Sequence, residues 1–304
     1  MRVVAATATG GPEVLRVVEW PDPVAGPGQV LVRVGGAGVN PADLGARAGF
    51  IPGGPIPPPI VLGWDFAGEV VAVGDEVTDL RPGDRIAGMI PWYLTRGAGG
   101  AYAELVAADR DWVVPIPDTL DLAAAATIGL NALTARQALE LMTLEPGTTV
   151  LVTGASGGVG GFAAELAVRA GHRVVAVASH DDEEWVRGLG VAEVLPRSAD
   201  LAGVGPFPAV LDAVPLGPPA TVAVADGGTL VTTRPTPPLD PARGVRQHVI
   251  MIQLRQPMLT ELVAEVAAGR LRTRVAKTLP LTEAEQAHRL AEAGGTRGKI
   301  VLVP

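Results

Sequence analysis

Short apolar runs separated by Gly, Pro or Asp dominate the first 118 residues. Runs of β-branched residues at such short intervals are typical of the strands of a small barrel or sandwich. The predicted strands cover residues 2–6, 14–18, 29–34, 67–73, 84–90 and 101–106. The stretch 52–59 is rich in proline. We predict a rigid loop there because proline neither continues a helix nor fits a central strand. This loop is either a surface connection or one wall of a cleft.

From residue 119 the pattern changes to strands that alternate with helices. A helix is predicted over 122–141, with Asp121 as its N-cap and a break at Gly129. The strands that follow are predicted at 150–153, 173–179, 191–195, 208–212, 228–233 and 248–254, and further helices at 181–189 and 260–268. This alternation is typical of a parallel, doubly wound sheet.

After the six strands of the predicted parallel sheet, the last part of the chain predicts two more strands and a helix. Strands are predicted at 275–279 and 299–303, with a helix over 283–293 between them. Because they follow a full set of six strands, we expect them to return to the first domain. The predicted division is therefore 1–118 with 272–304 as one domain and 119–271 as the other.

The most informative single stretch is 150–171, VLVTGASGGVGGFAAELAVRAG. It predicts a strand, a tight turn and a helix N-terminus, which is an arrangement that binds phosphate. The spacing is G-x-G-x-x-G except that Ala155 replaces the first glycine. The candidate cofactor-binding residues in this turn are Ser156, Gly157, Gly158, Val159 and Gly160. Gly157 would let the backbone approach a pyrophosphate, and Gly160 would let helix and strand pack closely. The alternative is a glycine-rich turn without a ligand.

Composition narrows the possible functions. A chain of 304 residues that is 48% hydrophobic and 18% charged can bury the cores of two domains. Its net charge of −8 and its lack of a long basic run argue against a nucleic-acid partner. The absence of cysteine excludes disulfides, thiolate catalysis and cysteine-ligated zinc. No apolar stretch has the length of a membrane span or a signal sequence, so we expect a soluble, cytoplasmic protein without membrane partners.

Several short motifs follow one another along nearly the whole chain. They are Asn40-Pro41-Ala42-Asp43, Arg47-Ala48-Gly49, Gly63-Trp64-Asp65-Phe66-Ala67-Gly68, Pro82-Gly83-Asp84-Arg85, Gly100-Ala101-Tyr102-Ala103-Glu104, Leu133-Thr134-Ala135, the glycine turn, and Arg297-Gly298-Lys299. In this order they resemble the zinc-free quinone oxidoreductase (ζ-crystallin-like) branch of the medium-chain dehydrogenase/reductase superfamily. The resemblance implies an α/β protein in which a GroES-like β-barrel, built from both chain ends, accompanies a Rossmann domain. It also implies a nicotinamide cofactor in the cleft.

The resemblance also bears on metal binding. Zinc-dependent relatives have Cys at the place of Asp43 and His at the place of Trp64. An indole has no free acceptor, and one carboxylate does not make a zinc site. The four histidines, His172, His180, His248 and His288, are not spaced as ligands, and we expect surface or packing roles for them. The expected chemistry therefore proceeds without zinc or any other metal.

The end of the second strand of a Rossmann sheet indicates which nicotinamide cofactor is bound. An NAD site usually has an acidic residue there, whereas this chain has Ser179 followed by His180. The small hydroxyl favours NADPH over NADH, with Arg197 as the cation for its 2′-phosphate. The acids at 181–184 would repel that phosphate unless they face solvent as partners of a helix N-terminus.

Three further residues are assigned as cofactor contacts. Thr232 and Thr233 follow the fifth strand at the edge where such sheets bind ligands. Ordinary polarity at the end of a strand is the alternative for both. Lys299 belongs to the terminal motif of the resemblance.

The resemblance gives Asn40 and Thr134 the catalytic positions, at the nicotinamide and the acceptor. Asn40 could donate to the oxygen of a quinone or enone, although its alternative role is a turn residue before proline. Asp43 and Arg47 are predicted to pair across one helical turn. A tyrosine that many relatives carry after the R-x-G motif is replaced here by Phe50.

The loss of that tyrosine leaves the proton donor open. We expect Tyr102 to be a packing residue and the proton to come from solvent. Trp64, Trp92, Phe50 and Ile51 could line an apolar slot for a flat acceptor, or they could be core residues, which we favour for Trp64.

The expected function is therefore an NADPH-dependent oxidoreductase acting on a small-molecule acceptor, a quinone or an α,β-unsaturated carbonyl compound. One alternative is a non-catalytic NADPH-binding redox sensor or partner-binding protein. Another is an enoyl-thioester reductase, for which Arg243, Arg246 and Arg255 are the nearest basic cluster. We expect a homodimer that, as the resemblance implies, pairs through the strand predicted at 248–254; the alternative for this strand is a covered edge.

Overall fold

Across residues 1–97 and 99–304, which the computed structural model describes, the chain forms β-sheets flanked by helices. The strands are β1 (Arg2–Ala6), β2 (Leu15–Glu19), β3 (Gln29–Gly38), β4 (Ile60–Val61), β5 (Asp65–Val73), β6 (Arg85–Met89), β7 (Leu105–Asp109), β8 (Val113–Pro115), β9 (Thr149–Thr153), β10 (Arg173–Ala178), β11 (Glu193–Pro196), β12 (Phe207–Asp212), β13 (Val224–Thr232), β14 (Arg246–Val249), β15 (Val275–Pro280) and β16 (Lys299–Val303). The helices are α1 (Pro41–Arg47), α2 (Trp92–Thr95), α3 (Leu122–Ala125), α4 (Gly129–Met142), α5 (Gly158–Arg169), α6 (Glu183–Gly188), α7 (Leu201–Val204), α8 (Pro218–Ala223), α9 (Gln256–Ala267) and α10 (Ala284–Ala293).

These elements belong to two compact units. Unit 1 contains Met1–Leu130, Leu254–Ala268 and Arg274–Pro304, and unit 2 contains Asn131–Gln253 and Gly269–Thr273. The compact units differ from the predicted division in the helices near the boundaries: α3 and α9 belong to unit 1. No helix of the described residues has the length and apolar character that crossing a bilayer would require.

Unit 1 is built on a long, mostly antiparallel sheet whose strand order is β15-β16-β3-β5-β6-β8, with β7 also paired to β3. A smaller sheet has the order β2-β1-β4. Val30, Val32 and Val34 alternate along β3 and are all buried, as a strand with one core face requires. Gly38 at the end of β3 pairs with Asp65 at the start of β5 and with Val301 of β16. The end of β3, the start of β5 and the middle of β16 therefore meet beside the start of α1.

Unit 2 contains a parallel six-stranded sheet with the order β11-β10-β9-β12-β13-β14. The order reverses between β9 and β12, and their carboxyl ends form the edge where open α/β sheets bind ligands. Its strands are largely buried, which explains why they are continuous β-branched runs rather than alternating ones. The predicted fold class, a GroES-like domain with a Rossmann sheet, is confirmed.

Several local predictions are corrected. The strand predicted at 248–254 is wrong beyond Val249, because Gln137 of α4 binds the backbone N–H and carbonyl of Gln253 and takes over its hydrogen bonding. The strand predicted at 101–106 begins only at Leu105. The helix predicted at 181–189 is a single 3₁₀ turn followed by α6.

Candidate active site and nucleotide loop

The glycine turn of unit 2 has the geometry of a nucleotide-binding loop. After β9 the chain turns at Gly154, whose φ of +64° favours glycine, and α5 begins after its N-cap, Gly157. A Cβ on Gly160 would lie 2.6 Å from the carbonyl carbon of Gly154 and 2.9 Å from the oxygen of Thr153. Glycine at position 160 therefore lets α5 pack directly on the turn, as the sequence indicated. The N–H groups of the first turn of a helix have no partner within it and point toward a ligand.

Asp212, at the carboxyl end of β12, organises the opposite side of this turn. Its carboxylate accepts a hydrogen bond from Thr153 Oγ1 at 2.7 Å, and it also accepts from the N–H groups of Leu216 and Gly217. Burial raises the pKa of Asp212. The side chain is fully buried, so it fixes the loop after β12 rather than contacting solvent.

The ends of β10 and β11 contain the residues assigned to cofactor specificity. Ser179 Oγ donates to Asp182 Oδ2 at 2.8 Å, and Asp182 is 4% exposed. His180 is exposed and lies 3.6 Å from Glu183. Ala178 pairs with Pro196, so Ser179 and Arg197 follow two adjacent strands at equivalent positions. The exposed Arg197 is thus a cation one strand away from Ser179.

Of the remaining predicted contacts of unit 2, Thr134 and Thr232 are buried and Thr233 is half-buried. Thr232 Oγ1 donates to the carbonyl of Arg234 at 2.7 Å, and Thr233 Oγ1 lies 3.4 Å from the carbonyl of Asp212. Both hydroxyls hold backbone at the carboxyl edge of the sheet. Thr134 lies in α4 and is 6% exposed.

In unit 1 the converging strand ends enclose four polar side chains, Asn40, Asp43, Asp65 and Lys299, which we call the buried polar cluster. Asn40 Nδ2 donates to Asp65 Oδ2 at 2.9 Å, and Lys299 Nζ donates to Asn40 Oδ1 at 2.6 Å. Asp43 accepts from the N–H groups of Asn40 at 2.8 Å and Gly63 at 2.7 Å. All four residues are at most 7% exposed. Lys299 therefore lies in this cluster, and its ammonium also donates to the carbonyl of Val39.

Burial away from water favours the neutral form of each titratable group in this cluster. It raises the pKa of Asp43 to about 7 and that of Asp65 to about 6. It lowers the pKa of Lys299 to about 8, although both carboxylates oppose that change. Burial therefore brings the pKa values of all three groups closer to neutral pH than their ordinary values.

A second buried network begins at Arg47, and it corrects the predicted Asp43–Arg47 pair. Arg47 donates to the carbonyl of Gly10, to Nδ1 of His288 and to the carboxylate of Glu292. Arginine is always protonated, so Nδ1 of His288 must be an acceptor and Nε2 carries the proton. That Nε2–H donates to the Tyr102 hydroxyl at 3.1 Å.

His288 and Tyr102 are both fully buried. Burial and the charge of Arg47 lower the pKa of His288 to about 3, so the imidazole stays neutral across the physiological range. Both side chains are therefore buried members of the network that begins at Arg47.

Trp64, which stands where the resemblance places a zinc ligand, belongs to a group of packed aromatic rings. The rings of Trp64 and Trp92 are 4.7 Å apart, and the Tyr93 ring lies edge-on to Trp64 at 5.2 Å. Trp64 is 2% exposed and Trp92 fully buried, which makes them core residues, whereas Phe50 is 78% exposed. Within the described part of the chain, no three His, Cys, Asp or Glu side chains are grouped to hold a metal ion. The indole of Trp64 and the backbone-bonded Asp43 do not fit zinc.

Sequence reasoning missed the partners that make these networks. The terminal motif predicts that Lys299 contacts the cofactor, and no feature of the sequence links Lys299 to Asn40, which lies 259 positions earlier. The signals that could have found the cluster were charged residues within apolar runs, such as Asp65 before Phe66 and Lys299 before Ile300. A charge at such a position is expected to be paired.

Two protein-family models match the chain and define the class of protein to which it belongs. The family model for the alcohol dehydrogenase GroES-like domain matches residues 26–118, and the model for zinc-binding dehydrogenases matches residues 189–302. With the barrel-type sheet of unit 1 and the Rossmann sheet of unit 2, the chain has the fold of the medium-chain dehydrogenases and reductases.

Individual relatives then define the branch. A quinone oxidoreductase of Pseudomonas aeruginosa is 31% identical over 333 residues, and the match covers 98% of each chain. The structure of the quinone oxidoreductase from Coxiella burnetii is similar with a TM-score of 0.88 and 29% identity, covering 100% of this chain and 99% of the other. An NADPH-dependent alkenal/one oxidoreductase of Arabidopsis thaliana is 29% identical over 91% of this chain and 72% of its own length. The chain belongs to the quinone oxidoreductase branch of the medium-chain dehydrogenase/reductase superfamily, and it is an oxidoreductase.

Proposed function

We propose that this protein is a zinc-independent, NADPH-dependent reductase of quinones or α,β-unsaturated carbonyl compounds. The observation that carries the proposal is the buried Trp64, which precedes Asp65 of the cluster in the chain and stands in the place that the resemblance gives to a zinc ligand. The donor set there offers no imidazole or thiolate, so the acceptor must be one that accepts a hydride without a metal Lewis acid. Conjugated carbonyl compounds and quinones meet this condition because their extended π-systems delocalise the incoming charge.

The nucleotide loop fits a dinucleotide cofactor. The turn at Gly154, the exposed Gly157 and the N-terminus of α5 leave backbone N–H groups for a pyrophosphate. We propose Ser156, Gly157, Gly158, Val159 and Gly160 as the pyrophosphate contacts. When bound, a reduced nicotinamide supplies the hydride to the acceptor.

For the 2′-phosphate of NADPH, we propose Ser179, His180 and Arg197. The exposure of His180 and Arg197 at the ends of adjacent strands supports this choice. Asp182 is turned toward Ser179 rather than outward, and its negative charge is the main feature that opposes a phosphate. The relative named for its NADPH dependence adds support.

Arg197→Ala should weaken NADPH binding about 10-fold and leave NADH binding unchanged, since a charge-assisted bond to phosphate contributes roughly 1.5 kcal/mol. Fluorescence titration with each cofactor measures both constants. Arg81→Ala is the matched control, because Arg81 is an exposed arginine of unit 1. Equal affinities of the wild type for the two cofactors would contradict the assignment of Ser179 and Arg197.

The chain's own residues would position the reaction rather than supply its electrons. As the hydride reaches the acceptor carbon, negative charge develops on the acceptor oxygen, and one proton completes the reduction. We propose that this proton comes from solvent. Asn40 is 1% exposed and its amide donates to Asp65 and Gly38, so we assign it a positioning role in the cluster. Thr134 is proposed at the nicotinamide, and Thr232, Thr233 and Lys299 support the site through the backbone they hold.

Steady-state NADPH oxidation across a panel of quinones and of unsaturated aldehydes and ketones tests the proposal. We expect turnover with at least one class and no change when a chelator removes free metal. Cofactor binding without turnover on any acceptor would favour the non-catalytic NADPH-binding alternative. The enoyl-thioester alternative loses support because Arg243 is engaged by Asp226 and by two backbone carbonyls.

We further propose a cytoplasmic homodimer paired along β14, the edge strand of the parallel sheet.

A further inference from the structure

The two tyrosines of this chain differ in what their hydroxyls can do. The Tyr102 hydroxyl is fully buried and bonded to His288. Tyr93 is half-buried, and within residues 1–97 and 99–304 its hydroxyl has no hydrogen-bond partner. A phenol that is partly desolvated but unpaired is available to a ligand.

Tyr93 is also held in place. It lies on α2, next to the fully buried Trp92, whose Nε1 donates to the carbonyl of Val61 at 2.8 Å. At the end of α2, Arg96 donates to the carbonyls of Pro52, Gly54 and Pro55. The short helix is therefore fixed on one side to the core and on the other to the proline-dense loop. A donor on such a support is pre-organised, which is what stabilisation of a developing charge requires.

The position of Tyr93 connects it to the buried polar cluster. Its ring packs edge-on against Trp64, and Trp64 stands between Gly63, which donates to Asp43, and Asp65. Burial first, and the charge of Asp43 second, raise the pKa of the Tyr93 phenol, so the hydroxyl keeps its proton and acts as a donor. The next residue, Leu94, is 84% exposed. A hydroxyl on a half-buried ring, next to an exposed apolar side chain, suits a flat molecule with a polar oxygen.

We propose that the Tyr93 hydroxyl donates the hydrogen bond to the carbonyl oxygen of the acceptor and stabilises the negative charge that develops there. The inference rests on the proposed function and deepens it: the acceptor is a flat, conjugated carbonyl compound that binds with its oxygen at Tyr93. Tyr93 thereby supplies the phenol that Phe50 cannot provide after the R-x-G motif.

Tyr93→Phe tests this role by removing only the hydroxyl. We expect kcat for menadione or an unsaturated ketone to fall about 100-fold, as for other oxyanion donors, with a smaller change in KM. The affinity for NADPH should not change, since the residues proposed to bind it lie in unit 2. The melting temperature of Tyr93→Phe should equal that of the wild type, because the Tyr93 hydroxyl makes no hydrogen bond within the described residues that the substitution would remove. Thr95→Val removes a hydroxyl from the same helix and should leave turnover unchanged.

A binding measurement separates this inference from the proposed function. Quinones quench tryptophan fluorescence, and two of the five tryptophans, Trp64 and Trp92, lie against the Tyr93 ring. The difference in quenching by menadione between the wild type and Tyr93→Phe therefore reports on binding at this place. Weaker quenching in Tyr93→Phe without turnover in the wild type would support the site while the proposed reaction fails. Wild-type values of kcat and quenching in Tyr93→Phe would overturn the inference, as would equal losses in Thr95→Val or no quenching in the wild type.

Discussion

Lys299→Met should lower the free energy of unfolding by about 3 to 5 kcal/mol near neutral pH, because it leaves buried carboxylates without their cation. Lys299 is 7% exposed and donates to Asn40 and to the carbonyl of Val39. The charge of Lys299 lowers the pKa of both Asp43 and Asp65. Denaturant unfolding followed by tryptophan fluorescence measures the loss. Lys277→Met, at the chain's other lysine, is the matched control because that side chain is exposed.

The pH dependence of this loss follows from the same groups. The folded-state pKa of Asp43, about 7, lies above the ordinary value of 3.8, so the folded protein binds more protons than the unfolded chain between these values. The contribution of Asp43 to the free energy of unfolding therefore falls as the pH rises from the ordinary pKa to the folded-state pKa. Without Lys299 the carboxyl pKa values rise further, and this pH range extends upward. The deficit of Lys299→Met should shrink at about pH 5, where the carboxyls are protonated. An equal deficit at both pH values would mean that packing, not charge, explains it.

Gly160→Ala should destabilise unit 2 by about 3 kcal/mol and abolish cofactor binding, because the new Cβ meets backbone rather than a side chain that could move. That Cβ would lie within 2.9 Å of Thr153 O and closer to the carbonyl of Gly154. The helix α5 would have to shift away from the turn. Thermal unfolding and NADPH titration measure the two effects.

Gly157→Ala provides the contrast for this prediction. A Cβ on Gly157 would lie 3.2 Å from the oxygen of Gly154, and the residue has a φ of −91°, which alanine adopts without strain. We therefore expect near wild-type stability but weaker cofactor binding, since the methyl group would stand where a pyrophosphate approaches. Full cofactor affinity in Gly157→Ala would show that the nucleotide does not use this part of the loop.

Much of the fold could be read from local patterns. The β-branched runs of residues 150–153 and 173–179 predicted β9 and β10 closely, because a strand buried on both faces needs a continuous apolar run. The glycine turn was equally local: Gly160 of the spaced glycines makes a close contact between helix and turn that only glycine permits. The same patterns made the strand predicted at 248–254 too long, because the mostly apolar residues 250–254 carry no sign that Gln137 binds the backbone of Gln253.

The local pattern of the chain thus specified most of the strands and helices, the position of the glycine turn and many of the residues that enter the core. Only the tertiary structure decided the partners of the buried polar groups. Arg47 pairs with His288 and Glu292 rather than with Asp43, and Lys299 meets Asn40 rather than a loop of unit 2. The physical reason is that periodicity records whether a position is buried, a property of each residue and its near neighbours. Which charges meet depends on which strand ends the completed sheets bring together.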